Sequence, residues 1–564
     1  MLEAGSPGDD RVTISASVDR DRPSLQFQVA TEGRAIAKVA GALSFDRSQR
    51  AVLYEVDGHL SRLAALAPLA ASIHGLDGFD LSELALGLAA HGALLGVVAG
   101  VSPDGVLSLE PIPARTAAIE GAMDVRVDHI RWTKGDTAIV TPSLAWHGDM
   151  HTSGARRTLD SRLELGALHL GVGSRELDIN GIRDEARATV AGDLSNPEIE
   201  LTQRLSVRAV EQAFLPEYPM GDLAFSLSAE RGPEGVIHVA DMKLVNGLAG
   251  TAFALRGNVD LGEGRRTLSV TTSLSQDLAR LSTIPERFQG RGKVAVDANV
   301  NSPDFVHYHV RAAVKADDVT LALPRAGIDV DTANGEVPVT VALEVGASGV
   351  ALQRSEKRSP YSMLRFADQH PLLSRSGFFS VKRLKTPFVS IAPLVGNLAI
   401  DQNIVSLRQF EMGVRGGSIT GQCGLDWEGA KSTVEIHVRA TGVQSSHGEP
   451  FDGNIAVVIS AGDRTIDGRA EILRIGERHL LDLMDLHDPL HVDPAMNRVR
   501  TALAFGYPDS LRLVFDHGFA SAHLELGGLA RLVSIGELRG IPMGPIVDKM
   551  IAPMLVGPDT KEAP

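Results

Sequence analysis

Apolar and polar residues alternate one by one over many short segments of this 564-residue chain. The alternation runs through Val12–Val18, Leu223–Leu227, Val294–Val300 and Val434–Ala440. A period of two is typical of β-strands with one apolar and one water-exposed face, as in antiparallel sheets. Glycine-rich turns such as Gly262–Gly264 separate the segments. The sequence therefore predicts a mostly β fold made of antiparallel hairpins.

Segments with helical periodicity are few. We predict short helices near residues 59–72, 206–215 and 276–282. Over 529–555 we predict several short amphipathic pieces, because prolines in this stretch prevent one long helix. Residues 557–564 have the composition of a disordered tail.

The helix-like stretches lie in a repeated context. Gly41–Asp46 and the alternating Val52–Val56 precede the first stretch, and Gly257–Leu261 with Leu268–Val270 precede the third in the same order. One such unit cannot bury its apolar face alone, so stacked copies would share a continuous apolar strip. We expect an elongated, curved antiparallel β-groove built of repeated hairpin units with a few short helices.

The repeats and composition divide the chain into four regions. We predict an N-terminal β-repeat region over 1–190, a central β-repeat region over 191–345 and a third β region over 346–528. An amphipathic helical cap and the tail occupy 529–564.

Composition excludes several classes of protein. Lys and Arg number 55 against 70 Asp and Glu, which gives a net charge of −15, and aromatic residues are only 4%. Such a chain lacks the basic surface and the stacking platforms of a nucleic-acid binder. Cys423 is the single cysteine, so the chain forms no internal disulfide and no cysteine-based zinc site.

Two segments bear on membrane targeting. The first 18 residues have neither a basic nor an apolar section, so they do not read as a signal peptide. The stretch 84–101 is uncharged and just long enough for a membrane span, but four glycines and His91 interrupt it. We interpret it as a helix end followed by a buried strand.

The C-terminal half carries a recurring glycine pattern. Gly416–Gly421 reads Gly-Gly-x-hydrophobic-x-Gly, and Gly424-Leu-Asp426 opens the following strand. With the closing block 480–546, this pattern resembles the AsmA-like family, which includes the TamB-type and YdbH-type envelope lipid-transport proteins. The resemblance is best over 390–550.

The resemblance implies a long β-groove with a hydrophobic lumen that passes phospholipid from the inner to the outer membrane. It places the protein in the periplasm or cell envelope of a Gram-negative bacterium. Family members are held at the inner membrane by an N-terminal helix, and this sequence starts without one. Its anchor would therefore be a missing N-terminal segment or a partner such as a membrane-anchored lipoprotein.

A lipid groove needs aliphatic walls without bulky aromatic residues, and the low aromatic content agrees with this. The apolar positions of the alternating segments are the predicted groove wall: Leu223, Phe225, Leu227, Val294, Val296, Val434, Ile436 and Val438. A β-sandwich core would show the same alternation. The length of the chain favours the elongated alternative.

Three polar strings resemble metal sites. They are His147-Gly-Asp149-Met-His151, the pair His307 and His309, and a His/Asp cluster over 479–493. Leucines interleave the cluster, so we interpret it as a solvated face above a packed one. The nucleophile elbow, zincin and P-loop motifs are absent from the sequence. We predict no catalytic residue, no resident metal and no cofactor.

Three functions agree with these features. The leading one is a non-enzymatic carrier of phospholipid between inner and outer membranes. The second is an envelope hydrolase or carbohydrate-active β-protein that uses the 479–493 cluster. The third is a structural or adhesin β-array. We also expect the strands near 511–526 to offer an exposed edge, and the 529–555 segment to cap the last sheet or to contact a membrane.

Overall fold

The computed structural model describes most of the chain. The described residues are 2–5, 11–19, 24–32, 36–46, 51–61, 79–80, 82–95, 97–101, 107–111, 118–153, 156–173, 175–192, 197–212, 219–232, 234–262, 266–281, 288–324, 327–346, 349–352, 377–386, 390–427, 432–444, 448–529 and 537–543. The chain divides into two compact units, unit 1 (Met1–Leu274) and unit 2 (Ser275–Pro564). This boundary falls inside the region that we predicted over 191–345.

Unit 1 is built of antiparallel strands. They are β1 (Leu2–Gly5), β2 (Arg11–Asp19), β3 (Ser24–Glu32), β4 (Ile36–Asp46), β5 (Ala51–Ser61), β6 (Ala85–Leu95), β7 (Val97–Val101), β8 (Leu107–Pro111), β9 (Ala118–Lys134), β10 (Thr137–Ser153), β11 (Arg156–Val172), β12 (Arg175–Ala191), β13 (Glu198–Gln212), β14 (Gly221–Arg231), β15 (Val236–Asn246) and β16 (Thr251–Asp260). The next strand, β17 (Thr267–Asp277), contains the boundary between the units.

The strands of unit 1 follow a simple meander. Each strand from β1 to β6 pairs with the next, β6 pairs with β9, and consecutive pairing continues from β9 to β16. Strands β7 and β8 form a separate hairpin. Strands β9 to β12 have 17 residues each, so each is about 56 Å long at about 3.3 Å per residue.

Unit 2 contains further strands and three short helical elements. The strands are β18 (Gln289–Ser302), β19 (His307–Leu323), β20 (Ile328–Gly346), β21 (Gly349–Leu352), β22 (Phe378–Lys385), β23 (Ser390–Asp401), β24 (Ile404–Val414), β25 (Gly417–Asp426), β26 (Thr433–Gln444), β27 (Pro450–Ser460), β28 (Thr465–Arg474), β29 (Gly506–Asp516), β30 (Phe519–Gly528) and β31 (Leu538–Pro542). The helical elements are a 3-10 turn (Leu278–Leu281), α1 (Glu477–His487) and α2 (Pro494–Leu503).

Antiparallel pairing also dominates unit 2. Strands β18, β19 and β20 pair in order, and β20 then pairs with both β21 and β22. A short parallel contact joins β20 to β23 at Val339 and Thr340. Strands β22 to β31 pair consecutively. The predicted fold class, a mostly β antiparallel architecture of hairpins with few helices, is confirmed.

Buried apolar residues collect at the C-terminal end of unit 2. One cluster joins α1 and α2 to β29 and β30, and includes Leu480, Met484, Val499, Leu511 and Leu524. A second cluster lies on β27, β28 and β30 and is covered by Met543, after β31. Both clusters of fully buried apolar residues in the described part of the chain belong to unit 2.

The helix predictions are wrong where they fall on described strands, and their residues 213–215 and 282 are outside the described residues. Residues 206–212 lie in β13, because Leu205, Val207 and Ala209 continue the alternation and β12 and β14 pair with this strand on both sides. Residues 59–61 lie in β5, and 62–72 are outside the described residues. Residues 276 and 277 end β17, and only 278–281 form a 3-10 turn.

Other local predictions also need correction. The stretch 84–101 contains β6 and β7, without the helix end that we expected, and the described side chains of β6 are half-buried or exposed. Residues 538–542 form a strand, while 530–536 and 544–564 are outside the described residues. The edge expected near 511–526 is partly covered: β29 pairs with β28 and β30, and β30 pairs with β31 only at Phe519, Ala520 and Ala522 among the described residues.

A glycine provides a test of how closely the strands of unit 1 approach each other. Gly121 has a φ of +153°, and a Cβ there would lie 2.2 Å from the carbonyl oxygen of His91. We expect Gly121→Ala to lower the free energy of unfolding by about 1–3 kcal/mol, because the backbone would be strained or displaced. Urea unfolding followed by far-UV circular dichroism measures the change.

Gly166 is the matched control, since it also lies in a 17-residue strand and its nearest added contact would be 4.0 Å away. Gly166→Ala should stay within about 0.5 kcal/mol of the parent protein. Equal stability of the two variants would contradict the close approach at Gly121.

Candidate functional site

The strand register of unit 1 gathers apolar residues on one face of the sheet, which we call the apolar face. Directly opposed residues of antiparallel strands share a face. One row across the strands contains Leu88, Val125, Trp146, Leu163, Leu205, Phe225, Leu244 and Phe253. A parallel row contains Leu86, Val127, Leu144, Leu165, Ile182, Val207 and Leu223. The predicted wall residues Leu223, Phe225 and Leu227 therefore lie on this face.

The apolar face of unit 1 remains accessible. Leu223, Phe225 and Leu227 are half-buried, and Ile119, Met123 and Leu244 on the same face are 48%, 38% and 43% exposed. Burial of apolar surface contributes about 25 cal/mol per Å², and apolar side chains that remain exposed to water do not gain this free energy. A large aliphatic surface of this kind has the chemistry to hold acyl chains.

One polar pair interrupts the apolar face. Asp184 stands opposite Leu163 and Leu205, and the Nε2 of Gln203 donates to its two carboxylate oxygens at 3.0 and 3.1 Å. We did not predict this pair. The sequence contained a signal for it, since Asp184 falls in the same phase of the alternation as Ile182 and Ala186.

The opposite face of unit 1 carries charged residues. One row contains Asp124, His147, Arg162, Glu185, Arg204, Ser226 and Lys243. Many of the charges on this face are paired, for example Arg162 with Glu164 at 2.6 Å and Lys243 with Asp241 at 2.8 Å. Exposed pairs of this kind contribute little stability but keep the face wet. The sheet thus has one aliphatic and one ionic face.

The His147 string belongs to the ionic face. Nδ1 of His147 lies 2.6 Å from Asp124 and Nε2 lies 2.9 Å from Asp149. Trp146 and Met150 are on the apolar face, as the strand interpretation predicted. Hydrogen bonds to Asp124 and then to Asp149 raise the pKa of His147 above its ordinary value of 6.5. Both ring nitrogens are engaged by carboxylates, so the imidazole acts as an ionic bridge.

The predicted wall residues of unit 2 also lie on an apolar face. Val294 and Val296 stand opposite Ala316 and Val314 of β19. Val434, Ile436 and Val438 stand opposite Leu425, Cys423 and Gly421 of β25 and opposite Ile459, Val457 and Ile455 of β27. All five predicted residues are half-buried. Val434 and Ile436 pack against the cluster beneath Met543, so this end of the face is part of a closed core.

The 479–493 cluster is a helical hairpin with a structural ion pair. Asp488 is 6% exposed and its Oδ2 lies 3.1 Å from Nη1 of Arg500. Asp485 lies 2.9 Å from Nη2 of the same guanidinium. Hydrogen bonds from Val492, Arg500 and Asp493 hold the pKa of Asp488 below its ordinary value, although burial opposes them. The expected packed face exists, with Leu480 and Met484 in the core.

The sequence contained two signals for α2 that we missed. Asp493 accepts hydrogen bonds from the backbone N–H groups of Ala495 and Met496, and Pro494 takes the first helical position. Aspartate followed by proline is a common helix start. Met496 and Val499 then give the helical spacing of the buried side.

The pair His307 and His309 is not a joint site. Nδ1 of His307 lies 2.6 Å from Asp304, whose carboxylate also accepts the backbone N–H groups of His307 and Val306. These bonds lower the pKa of Asp304 to about 2. His309 stands opposite Asn301 and Ala342 in its strand pairs. The Asp304 and His307 pair therefore fixes a turn before β19.

Among the described residues, one group could offer three ligand atoms to a metal ion. Asp467, Asp516 and His517 place one ligand atom each within 4.8 Å of one another. The side chains of Asp516 and His517 are 80% and 90% exposed and lie 2.6 Å apart as a pair. The two side chains bind each other at the tip of the β29–β30 hairpin, and we assign no metal to them.

Comparisons with protein-family models, with curated proteins and with solved structures find no match to this chain. The AsmA-like resemblance stays a prediction from the glycine pattern. Among the described residues, no helix has the length and apolar character needed to cross a bilayer.

The His147 bridge gives a pH prediction. A raised pKa means that protonated His147 stabilises the fold fully below pH 6.5, and that this contribution is lost as the pH rises through the raised pKa. Asp124→Asn should bring the titration midpoint of His147 back toward its ordinary value and weaken the pH dependence of stability in this window. Histidine NMR resonances measured against pH give the midpoint.

Asp178→Asn is the control, because Asp178 pairs with His169 at 2.6 Å in the same sheet. This variant should leave the midpoint of His147 unchanged. A midpoint that does not respond to Asp124→Asn would remove the ionic role of the bridge.

Proposed function

We propose that this protein is a non-enzymatic lipid-transfer protein of the AsmA-like type. It carries phospholipid on the apolar faces of its sheets and works in the envelope of a Gram-negative bacterium, between the inner and outer membranes. The observation that carries the proposal is the apolar face of unit 1, whose cross-strand rows of apolar side chains are mostly half-buried or exposed.

The chemistry of this face supports a lipid ligand. Burial of each CH₂ group contributes about 0.8 kcal/mol, so an acyl chain that lies along several strands gains many such increments. Small polar substrates would need converging polar groups, which gather on the ionic face and largely pair with each other there. The apolar face provides a large contact surface with few hydrogen-bonding groups, so a bound acyl chain can move along it without breaking specific contacts.

The partners that follow from this proposal are phospholipid, the two membranes and a membrane-anchored lipoprotein. The hydrolase alternative depended on the 479–493 cluster, and two carboxylates of that cluster bind Arg500. An adhesin would use a polar or aromatic binding face. Lipid binding separates the carrier from both alternatives.

The first test is lipid analysis. Protein purified gently from Gram-negative cells, without delipidation, should carry diacyl phospholipid detectable by mass spectrometry at about one molecule per chain or more. Protein that is free of lipid and also fails to take up a fluorescent phospholipid would refute the proposal.

The second test changes the wall. Phe225→Glu places a charge on the apolar face and should weaken uptake of fluorescent phospholipid about tenfold or more, since an aromatic contact is worth roughly 1.5–3 kcal/mol. The strand content should persist because the side chain is half-exposed. Fluorescence titration and circular dichroism measure the two effects.

Ser226→Glu is the matched control. Ser226 is the next residue on the same strand, and it stands opposite Arg204 and Lys243 on the ionic face. Its replacement should leave uptake unchanged. Equal loss of uptake in both variants would show that the apolar face is not the binding surface, and unfolding of Phe225→Glu would indicate a closed core.

A further inference from the structure

The connection between α1 and α2 displays two large apolar side chains to solvent. Leu490 is 80% exposed and Val492 is 73% exposed. The helices on either side bury their own apolar residues, for example Met484 and Met496. We call residues Asp488–Asp493 the hairpin loop.

The backbone of the hairpin loop is fixed by internal hydrogen bonds. Asp488 accepts the N–H groups of His491, Val492 and Asp493 through its carbonyl oxygen, Oδ1 and Oδ2, at 3.2, 2.9 and 3.1 Å. The carbonyl oxygen of His491 accepts from Nδ2 of Asn497 at 2.6 Å. The exposure of Leu490 and Val492 is thus a property of an ordered loop.

One residue of the loop has an unfavourable backbone conformation. His491 has a φ of +55°, which is uncommon for a residue with a side chain. Ten other described residues with side chains also have a positive φ, so this value marks a local turn of the loop. Its ring is held by Asp485, with Nε2 3.1 Å from Oδ1.

The charged groups at the base of the loop are paired and leave an excess of negative charge, because Arg500 binds both Asp485 and Asp488. Asp488 is 6% exposed and the Arg500 side chain 14% exposed, and they form a direct ion pair. Asp493 is engaged as the cap of α2. Residues 484–494 contain no Lys or Arg. The loop therefore presents aliphatic groups without a basic rim.

We propose that the hairpin loop inserts Leu490 and Val492 into the interface of a zwitterionic lipid bilayer. Entry into the boundary of the acyl chains is costly for backbone groups that lack partners, and the N–H groups of His491, Val492 and Asp493 and the carbonyl of His491 are already bonded. Anionic surfaces are recognised by Lys and Arg clusters, which this loop lacks.

The inference rests on the proposed function for its choice of a membrane over a protein. The helices that carry the loop pack on the same face of β29 and β30 that continues the apolar rows of unit 2. A loop that touches a bilayer at this point brings the covered end of the apolar face of unit 2 next to a lipid surface. An apolar pocket on a protein partner is the competing outcome in the test.

The experiment measures partition of the full chain onto vesicles of phosphatidylcholine and phosphatidylethanolamine by sedimentation. The double variant Leu490→Ser and Val492→Ser should bind about tenfold more weakly or worse, because two aliphatic anchors are lost. The double control Val172→Ser and Leu261→Ser removes two residues that are 57% and 56% exposed in unit 1, and should bind as the parent does. Brominated phosphatidylcholine should quench the fluorescence of the tryptophan introduced by Leu490→Trp.

Equal partition of the parent and the Leu490/Val492 variant would overturn the inference. So would partition that requires anionic lipid, or a loop-dependent complex with a protein that forms without vesicles. The outcomes distinguish the two proposals. If the Leu490/Val492 variant loses vesicle binding but takes up fluorescent phospholipid normally, both proposals are supported. Loop-dependent vesicle binding by a protein that takes up no phospholipid retains the inference and refutes the carrier function.

Discussion

Backbone pairing in a fixed register is the interaction on which unit 1 depends. A shift of one strand by one residue against its neighbour would move the aliphatic side chains of that strand to the ionic face. Where the alternation of apolar and polar residues shifts by one position along a strand, a bulge keeps the apolar residues on the apolar face. At β15 a bulge beside Ser228 and Ala229 lets Val239 and Met242 both join the apolar face. Register therefore determines both the stability and the chemistry of the sheet.

The two units use their apolar surface differently. In unit 2 the helices α1 and α2 and the residue Met543 cover the last strands, and a close-packed core results. In unit 1 the described apolar rows are mostly half-buried or exposed, although Val207 is buried. The same alternating sequence thus gives either a core or an open surface, and the covering segment decides between them.

This explains which features the sequence could predict. Alternation located the strands and their apolar sides correctly, including Phe225, Val296 and Ile436, because the phase of a strand is local information. Helix predictions failed at 206–212, where the short pattern fits both periods and pairing with two neighbours decides. The ion pair of Asp488 and Arg500 could not be predicted from the sequence either, because it depends on how two helices pack. The proposed lipid ligand lies outside what the fold alone determines.

In the meander of unit 1 a strand pairs only with its neighbours. Removing or adding one hairpin would therefore leave all other pairs intact, since no central core has to be repacked. Adding two strands together keeps every later strand in its original direction, so each later residue stays on the same face of the sheet. A single added strand would reverse the direction of all later strands. The number of hairpins in such a sheet can change while the remaining pairs keep their register, so the width of the sheet of unit 1 is a property that evolution can adjust almost independently of its stability.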